Sequence, residues 1–168
     1  MTYADVEGAI KISRLAEHNE YVNKFTMVRA SKVDDDFILS LTGSDINVLR
    51  INPSLIKEFE NEFQSKVWFI ETDATDRRFI ENLFFPAKVL MANLVWVPDG
   101  SKLTKVIIST QNQPELQLNL EKIKKIAKEI RNIEMVVEFE NRKYNVKSTV
   151  VSKKSSFILS SALGYLLL

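Results

Sequence analysis

The order of hydrophobic elements occurs twice along the chain, at a spacing of 67 or 68 residues. Strand-like runs at 26–29, 37–41 and 66–71 correspond to runs at 94–97, 104–108 and 133–138. A helix-like run at 55–63 corresponds to 123–131, and the two halves open with helical stretches at 5–15 and 76–84. Apolar residues three to four positions apart predict helices, and alternating ones predict strands. The repeat lies in the order of elements and not in residue identity, so it predicts two small α+β modules in tandem.

The turns between the predicted strands are legible from composition. Residues 33–36 contain three adjacent aspartates, but without the glycine and distal glutamate of a calcium loop. We therefore expect a solvated turn there rather than a cation site. Residues 98–101 read Pro-Asp-Gly-Ser, in which proline presets φ and glycine accepts positive φ, which predicts a tight turn.

Helical spacing predicts which side chains are buried. The first helix is expected to bury Val6, Ile10 and Leu15. The helix at 55–63 is expected to begin at Pro53 with Asn52 as its cap. Its predicted apolar stripe is Leu55, Ile56, Phe59 and Phe63, and that of the matching helix is Ile123, Ile126, Ala127 and Ile130.

The charge is segregated, although the net charge of the chain is only +1. Residues 1–100 carry 11 Lys and Arg against 16 Asp and Glu, whereas residues 101–168 carry 12 against 6. Much of the positive charge lies on one predicted helix, at Lys122, Lys124, Lys125, Lys128 and Arg131. Such a flank is able to meet phosphates, or it simply keeps a surface helix soluble. A polyanion is therefore expected to prefer the second half of the chain.

Composition argues against catalysis. The chain has no cysteine and a single histidine, so a thiolate nucleophile or a histidine–cysteine metal site is not expected. It has no Gly-x-Ser-x-Gly elbow and no phosphate-binding Gly-x-x-x-x-Gly-Lys loop. No apolar run reaches the roughly 18 residues of a spanning helix, and the start lacks the pattern of a signal peptide. We expect a cytoplasmic protein that is not an enzyme, uses no cofactor or metal and does not enter a membrane.

The segment joining the two halves carries a resemblance. Residues 79–89 read Phe-Ile-Glu-Asn-Leu-Phe-Phe-Pro-Ala-Lys-Val, a helix stopped by Pro86 that runs directly into a strand. This segment resembles the junction between the two KH domains of NusA-like transcription factors, above all the short archaeal form. The resemblance covers about residues 3–140. It implies two tandem type II KH-like domains, each ordered helix-strand-strand-helix-strand, and a protein that binds RNA and works with RNA polymerase in elongation and termination.

The glycine loops of the family are replaced here. KH domains carry a Gly-x-x-Gly loop before a helix, where the backbone approaches the sugar–phosphate chain. The corresponding residues are Arg50, Ile51, Asn52 and Pro53 in the first module and, approximately, Leu118, Asn119, Leu120 and Glu121 in the second. Side chains therefore stand where phosphate would approach. Arg50 and Lys57 join the five cations of the second module as the candidate nucleic-acid contacts.

Two further features leave alternatives open. Trp68 and Trp96 lie in predicted strands, where a tryptophan is more often core than a stacking platform for bases. Residues 142–151 predict a basic strand and residues 157–168 an apolar segment, which packs on its own modules or docks into a partner.

The predicted organisation is a first domain at 1–74, a second at 75–140 and an extension at 141–168. The leading hypothesis is a non-enzymatic transcription elongation or termination factor acting through single-stranded RNA, RNA polymerase or both. The alternative is a protein–protein scaffold on a degenerate KH fold, attached to polymerase or ribosome, that does not touch RNA.

Overall fold

The computed structural model describes residues 1–140, without the side chains at 112–116 and 118. Within residues 1–140, five α-helices and six strands follow one another as α1 (Tyr3–Ala16), β1 (Met27–Val33), β2 (Asp36–Leu41), α2 (Gly43–Ile51), α3 (Pro53–Phe63), β3 (Val67–Glu71), α4 (Asp76–Phe84), β4 (Val89–Trp96), β5 (Lys102–Ile108), α5 (Gln113–Arg131) and β6 (Met135–Phe139). The protein is therefore of the α+β class, as its sequence predicts. Residues Met1–Glu138 form one compact unit. The predicted 142–151 strand and 157–168 segment lie outside the described residues.

The strands form two three-stranded sheets, one in each half of the described chain. In the first, β1 pairs antiparallel with β2, and β3 pairs parallel with the other side of β2. In the second, β4 pairs antiparallel with β5, and β6 lies on the other side of β5. Each sheet is therefore a hairpin joined by a third strand that follows a helical connection. The domain limits at 1–74 and 75–140 remain predictions.

The first sheet is buried on both faces. Phe37, Leu39 and Val67 lie on one face and join a core with residues of α1, α2 and α3. The opposite face carries Ile38, Trp68 and Ile70, which strand alternation places away from that core, and all three are buried. Two faces covered by helices explain why these strands read as continuous apolar runs.

The helix α4 links the two sheets. It contacts β3 of the first sheet, β4 of the second and the helix α5. Five of its nine residues are buried: Phe79, Ile80, Asn82, Leu83 and Phe84. A helix that is apolar beyond one stripe is buried on more than one side, and α4 is accordingly shared by both halves.

Several local predictions are confirmed. The first hairpin turns at Asp34 and Asp35, and Gly100 adopts φ 87° in the second turn. Pro53 occupies the first turn of α3, and α4 ends at Phe84, ahead of Pro86. Asn52 is the residue that precedes α3, but its side chain donates to the carbonyl of Val48 and does not cap the helix.

Other local predictions are wrong. Val6 and Ile10 are 44% and 48% exposed, and α1 instead buries Gly8 and Ile12. The reason is a close approach to β1, since a Cβ on Gly8 would lie 2.8 Å from the Cβ of Ala30. The helix α2 was not predicted. No helix among residues 1–140 is long and apolar enough to cross a bilayer.

Candidate functional site

The cations predicted on α5 are engaged with acidic residues of the protein itself. Lys122 Nζ lies 3.7 Å from Asp34 Oδ2 and 3.4 Å from Asp36 Oδ2, and Lys125 forms an ion pair with Asp34. The hydrogen bond between Lys125 and Asp34 raises the pKa of the lysine and lowers that of the aspartate. The first hairpin thus supplies the counter-charge for one side of α5.

The remaining α5 cations also have partners, near in sequence for Lys124 and Lys128 and distant for Arg131. Lys124 Nζ lies 2.8 Å from Glu121 Oε1, and Lys128 pairs with Glu134. Arg131 donates to the carbonyl oxygen of Ala74 and lies 3.3 Å from Asp76 Oδ1. Each ion pair offsets a charge that a phosphate would otherwise meet. The α5 surface is therefore less attractive to a polyanion than its sequence indicates.

The aspartate turn is not simply solvated, which corrects the sequence-based expectation. Asp36 is buried, and its Oδ2 accepts a hydrogen bond of 3.0 Å from the indole nitrogen of Trp68. A buried carboxylate needs such donors because desolvation is otherwise costly. Residues 1–140 contain no group of three or more His, Cys, Asp and Glu side chains able to hold a metal ion.

A cavity of about 440 Å³ lies beside β3, the edge strand of the first sheet. It is lined by the end of α2, the start of α3, the strand itself and the end of α4 with the residues that follow it. Its lining residues are Ile46, Leu49, Arg50, Pro53, Ile56, Glu60, Lys66, Val67, Trp68, Phe69, Asn82, Phe85 and Pro86.

Arg50 is held in place at this cavity. Its Nη2 donates 2.7 Å to Asn82 Oδ1, and its guanidinium carbon lies 5.5 Å from the centroid of the Phe85 ring. Arg50 forms no ion pair with a residue in the described part of the chain. Burial lowers its pKa, and the neighbouring cation Arg78 lowers it further. The guanidinium nevertheless remains charged at neutral pH.

Lys66 brings a second cation to the same cavity. Its Nζ lies 4.4 Å from the centroid of the Trp68 ring, a cation–π contact. Burial lowers the pKa of Lys66, while Glu60 acts in the opposite direction. Within residues 1–140 no carboxylate comes close enough to Lys66 for an ion pair.

Asn82 is the buried polar group of the site. It is 7% exposed, and its Oδ1 receives the Arg50 guanidinium. Its Nδ2 has no hydrogen-bond partner among the described residues. An unpaired buried donor costs roughly 1–3 kcal/mol. Asn82 therefore fixes Arg50 at an energetic cost.

The two predicted loops have different outcomes. Residues 50–53 lie where α2 gives way to α3, so the first predicted loop is a junction between helices. Leu118, Asn119, Leu120 and Glu121 lie inside α5, which corrects the prediction of a second loop before a helix at 123. The helix begins at Gln113, ten residues before the predicted start at 123, and continues without a break to Arg131. Lys57 is exposed on α3, outside the cavity lining.

The two tryptophans differ in burial. Trp68 is 7% exposed, as expected of a core strand, whereas Trp96 is 64% exposed, which corrects the expectation of burial. Trp96 lies at the end of β4 beside the turn, and Lys102 Nζ lies 4.7 Å from its ring centroid.

Sequence reasoning missed most of the cavity lining, including its polar residues Lys66 and Asn82. Lys66 precedes β3 and Asn82 lies in α4, and no spacing pattern joins them. The available signal was Asn82 beside the apolar residues of the segment 79–84, because a buried amide requires a polar partner.

Comparisons with known proteins give a likeness of fold. No family model matches the chain. No curated protein matches it. Among solved structures, the crystal structure of APE1850 superposes with a TM-score of 0.54 at 15% sequence identity. The match covers 83% of this chain and 100% of that chain. At this identity the likeness concerns the arrangement of helices and strands.

Proposed function

We propose that this protein is a non-enzymatic, NusA-like factor built of two type II KH-like modules, which acts in transcription through single-stranded RNA. The observation that carries the proposal is the repeated topology. Each half places a helix before an antiparallel hairpin, and a third strand returns beside the second strand of that hairpin. This order agrees with the family that the junction segment resembles. The first half also has two helices between β2 and β3, and residues 50–53 form the end of one helix and the start of the next.

The first module is the better candidate for RNA contact. It carries Arg50 at the end of α2, Lys57 in α3 and Lys66 just before β3. None of these cations forms an ion pair with a described residue. An edge strand presents unpaired backbone donors and acceptors, which suit the edges of unstacked bases. Phosphates would meet the three cations, since backbone charge dominates nucleic-acid affinity.

The missing glycines alter how RNA would be held. Pro53 offers no N–H to a phosphate, and the Arg50 side chain occupies the junction. Side-chain cations would therefore replace the close backbone contact of a glycine loop. We expect weak affinity with a strong dependence on salt.

The test is binding of a fluorescently labelled, unstructured RNA by anisotropy at increasing salt. Replacing Arg50 and Lys57 with alanine is expected to weaken binding and flatten the salt dependence, because each lost phosphate contact lowers the slope by about one. The matched variant replaces Lys124 and Lys128, whose charges are already paired, and is expected to have a smaller effect. Absence of binding at low salt would exclude this function.

The alternative of a scaffold for polymerase or ribosome rests on a different observation. The second sheet leaves Leu94, Val95 and Trp96 of β4 exposed, at 57%, 42% and 64%. Exposed apolar side chains gathered on one strand are typical of protein contacts. A protein partner that is retained after nuclease treatment and lost when Leu94 and Trp96 become serine would favour the scaffold.

A further inference from the structure

We propose that the cavity beside β3 binds a small planar anion of the aromatic carboxylate class as a free ligand. The inference goes beyond the proposed function because it requires no RNA and no second protein. It concerns a ligand enclosed on several sides, by α2, α3, β3 and the end of α4.

The volume and the lining residues of the cavity suit an aromatic carboxylate ligand. Its volume of about 440 Å³ lies within the range of small-molecule sites, which is roughly 300–1,000 Å³. Aromatic rings come from Trp68, Phe69 and Phe85, and aliphatic walls come from Ile46, Leu49 and Ile56. A flat hydrocarbon ring would replace water against these surfaces, which favours binding.

The charges of the lining residues favour a single negative charge on the ligand. Arg50 and Lys66 are cationic, and Glu60 is the one acidic residue among the lining side chains that the structure describes. Neither cation forms an ion pair with a described residue, and both are partly removed from water. One carboxylate would balance the remaining positive charge, in an environment where charges attract more strongly than in water.

Arg50 is already oriented for this role. The Asn82 carbonyl and the Phe85 ring fix the guanidinium, which needs little further ordering to receive a ligand. Its planar donors match the two oxygens of a carboxylate. The buried Nδ2 of Asn82, without a partner in residues 1–140, is a second unusual feature in the same wall. Together these features resemble a prepared site more than an incidental surface cleft.

The experiment titrates the full chain, labelled with ¹⁵N, with 1-naphthoate at neutral pH, using calorimetry and NMR in parallel. The neutral comparison is 1-naphthylmethanol, which keeps the ring and lacks the charge. We expect naphthoate to shift the indole N–H signal of Trp68 and to leave that of Trp96 unchanged. The alcohol is expected to bind at least about tenfold more weakly, since a charge-assisted contact is lost.

Variants separate the site from general hydrophobic binding. Arg50→Met and Lys66→Met are each expected to weaken naphthoate binding about tenfold. Arg29→Met removes an exposed cation on β1, away from the cavity lining, and is expected to change nothing. Using two separate variants keeps the test valid if the loss of the Arg50–Asn82 bond impairs folding.

The inference is overturned if the alcohol binds as tightly as naphthoate, or if a folded Lys66→Met protein retains full affinity. Perturbation of Trp96 without Trp68 would also overturn it. RNA binding is measured separately by anisotropy. Naphthoate binding without RNA binding would support the ligand site and exclude the proposed function. RNA binding without naphthoate binding would support the proposed function and exclude the ligand site.

Discussion

Lys122 Nζ of α5 lies 3.4 Å from Oδ2 of Asp36, the first residue of β2. The same carboxylate oxygen accepts the indole N–H of Trp68. One buried aspartate thus joins the first hairpin, the third strand and a helix of the second half. The local sequence, three aspartates in a row, does not indicate which of them is buried or that it contacts Trp68 and Lys122.

Replacing Asp36 with alanine is expected to lower the free energy of unfolding by about 1–3 kcal/mol, because the Trp68 donor and the Lys122 charge both lose their acceptor. Asp35 offers a matched control, since it lies exposed in the same turn. Its alanine variant should stay within about 0.5 kcal/mol of the parent. Urea unfolding measures both, and equal effects at the two positions would contradict the assignment.

Gly8 is expected to tolerate no side chain, although it lies in a helix. Alanine there gains helix propensity, but its Cβ would lie 2.8 Å from the Cβ of Ala30. We expect Gly8→Ala to destabilise the fold by about 1–3 kcal/mol through overpacking. In the double variant with Ala30→Gly, the loss should be smaller than the sum of the single losses. If the two losses of stability are additive in thermal unfolding, the contact between residues 8 and 30 is not the cause of the destabilisation.

Asp5 is expected to contribute to stability in acid. Hydrogen bonds from the backbone N–H groups of Thr2 and Ala30 lower its pKa to about 2, against an ordinary value of 3.8. A carboxyl group whose pKa is lower in the folded than in the unfolded protein stabilises the fold at pH values above its unfolded pKa. That contribution is lost as pH falls from about 4 to about 2. The stability of Asp5→Asn should therefore fall less over this range, and NMR titration of the carboxyl carbon checks the pKa directly.

The two tryptophans are expected to respond differently to a quencher. A Trp68→Phe protein retains only Trp96, which is 64% exposed, whereas Trp96→Phe retains only Trp68, which is 7% exposed. Acrylamide should quench the fluorescence of the first protein strongly and that of the second weakly. Similar quenching of both would contradict the burial of Trp68.

The elements predicted well are those with a strong local pattern. The helix α3 keeps Leu55, Phe59 and Phe63 at helical spacing, and all three are buried. The continuous apolar run of β3 predicted a strand, and the residue before Pro86 marked the end of α4. In these segments local preference and tertiary packing agree.

The missed features depend on contacts between distant parts of the chain. The helix α2 is only nine residues long, and its burial of Ile46 and Leu49 follows from packing against α3 and β3. The candidate site changed for the same reason. The α5 lysines looked available in sequence because their partner Asp34 is 91 residues away from Lys125. The cavity cations Arg50 and Lys66 gained importance because neither forms an ion pair with a residue of the described structure.

The shared helix α4 has a consequence for how the chain can be divided. Its side chains are packed among elements of both sheets, so the two sheets share one covering helix, although the first half also has a core of its own. A protease cut or a gene truncation near residue 74 would separate α4 from the first sheet and expose apolar surface on both fragments. The repeat visible in the sequence therefore lies within one compact unit, and heating should melt residues 1–138 in a single step.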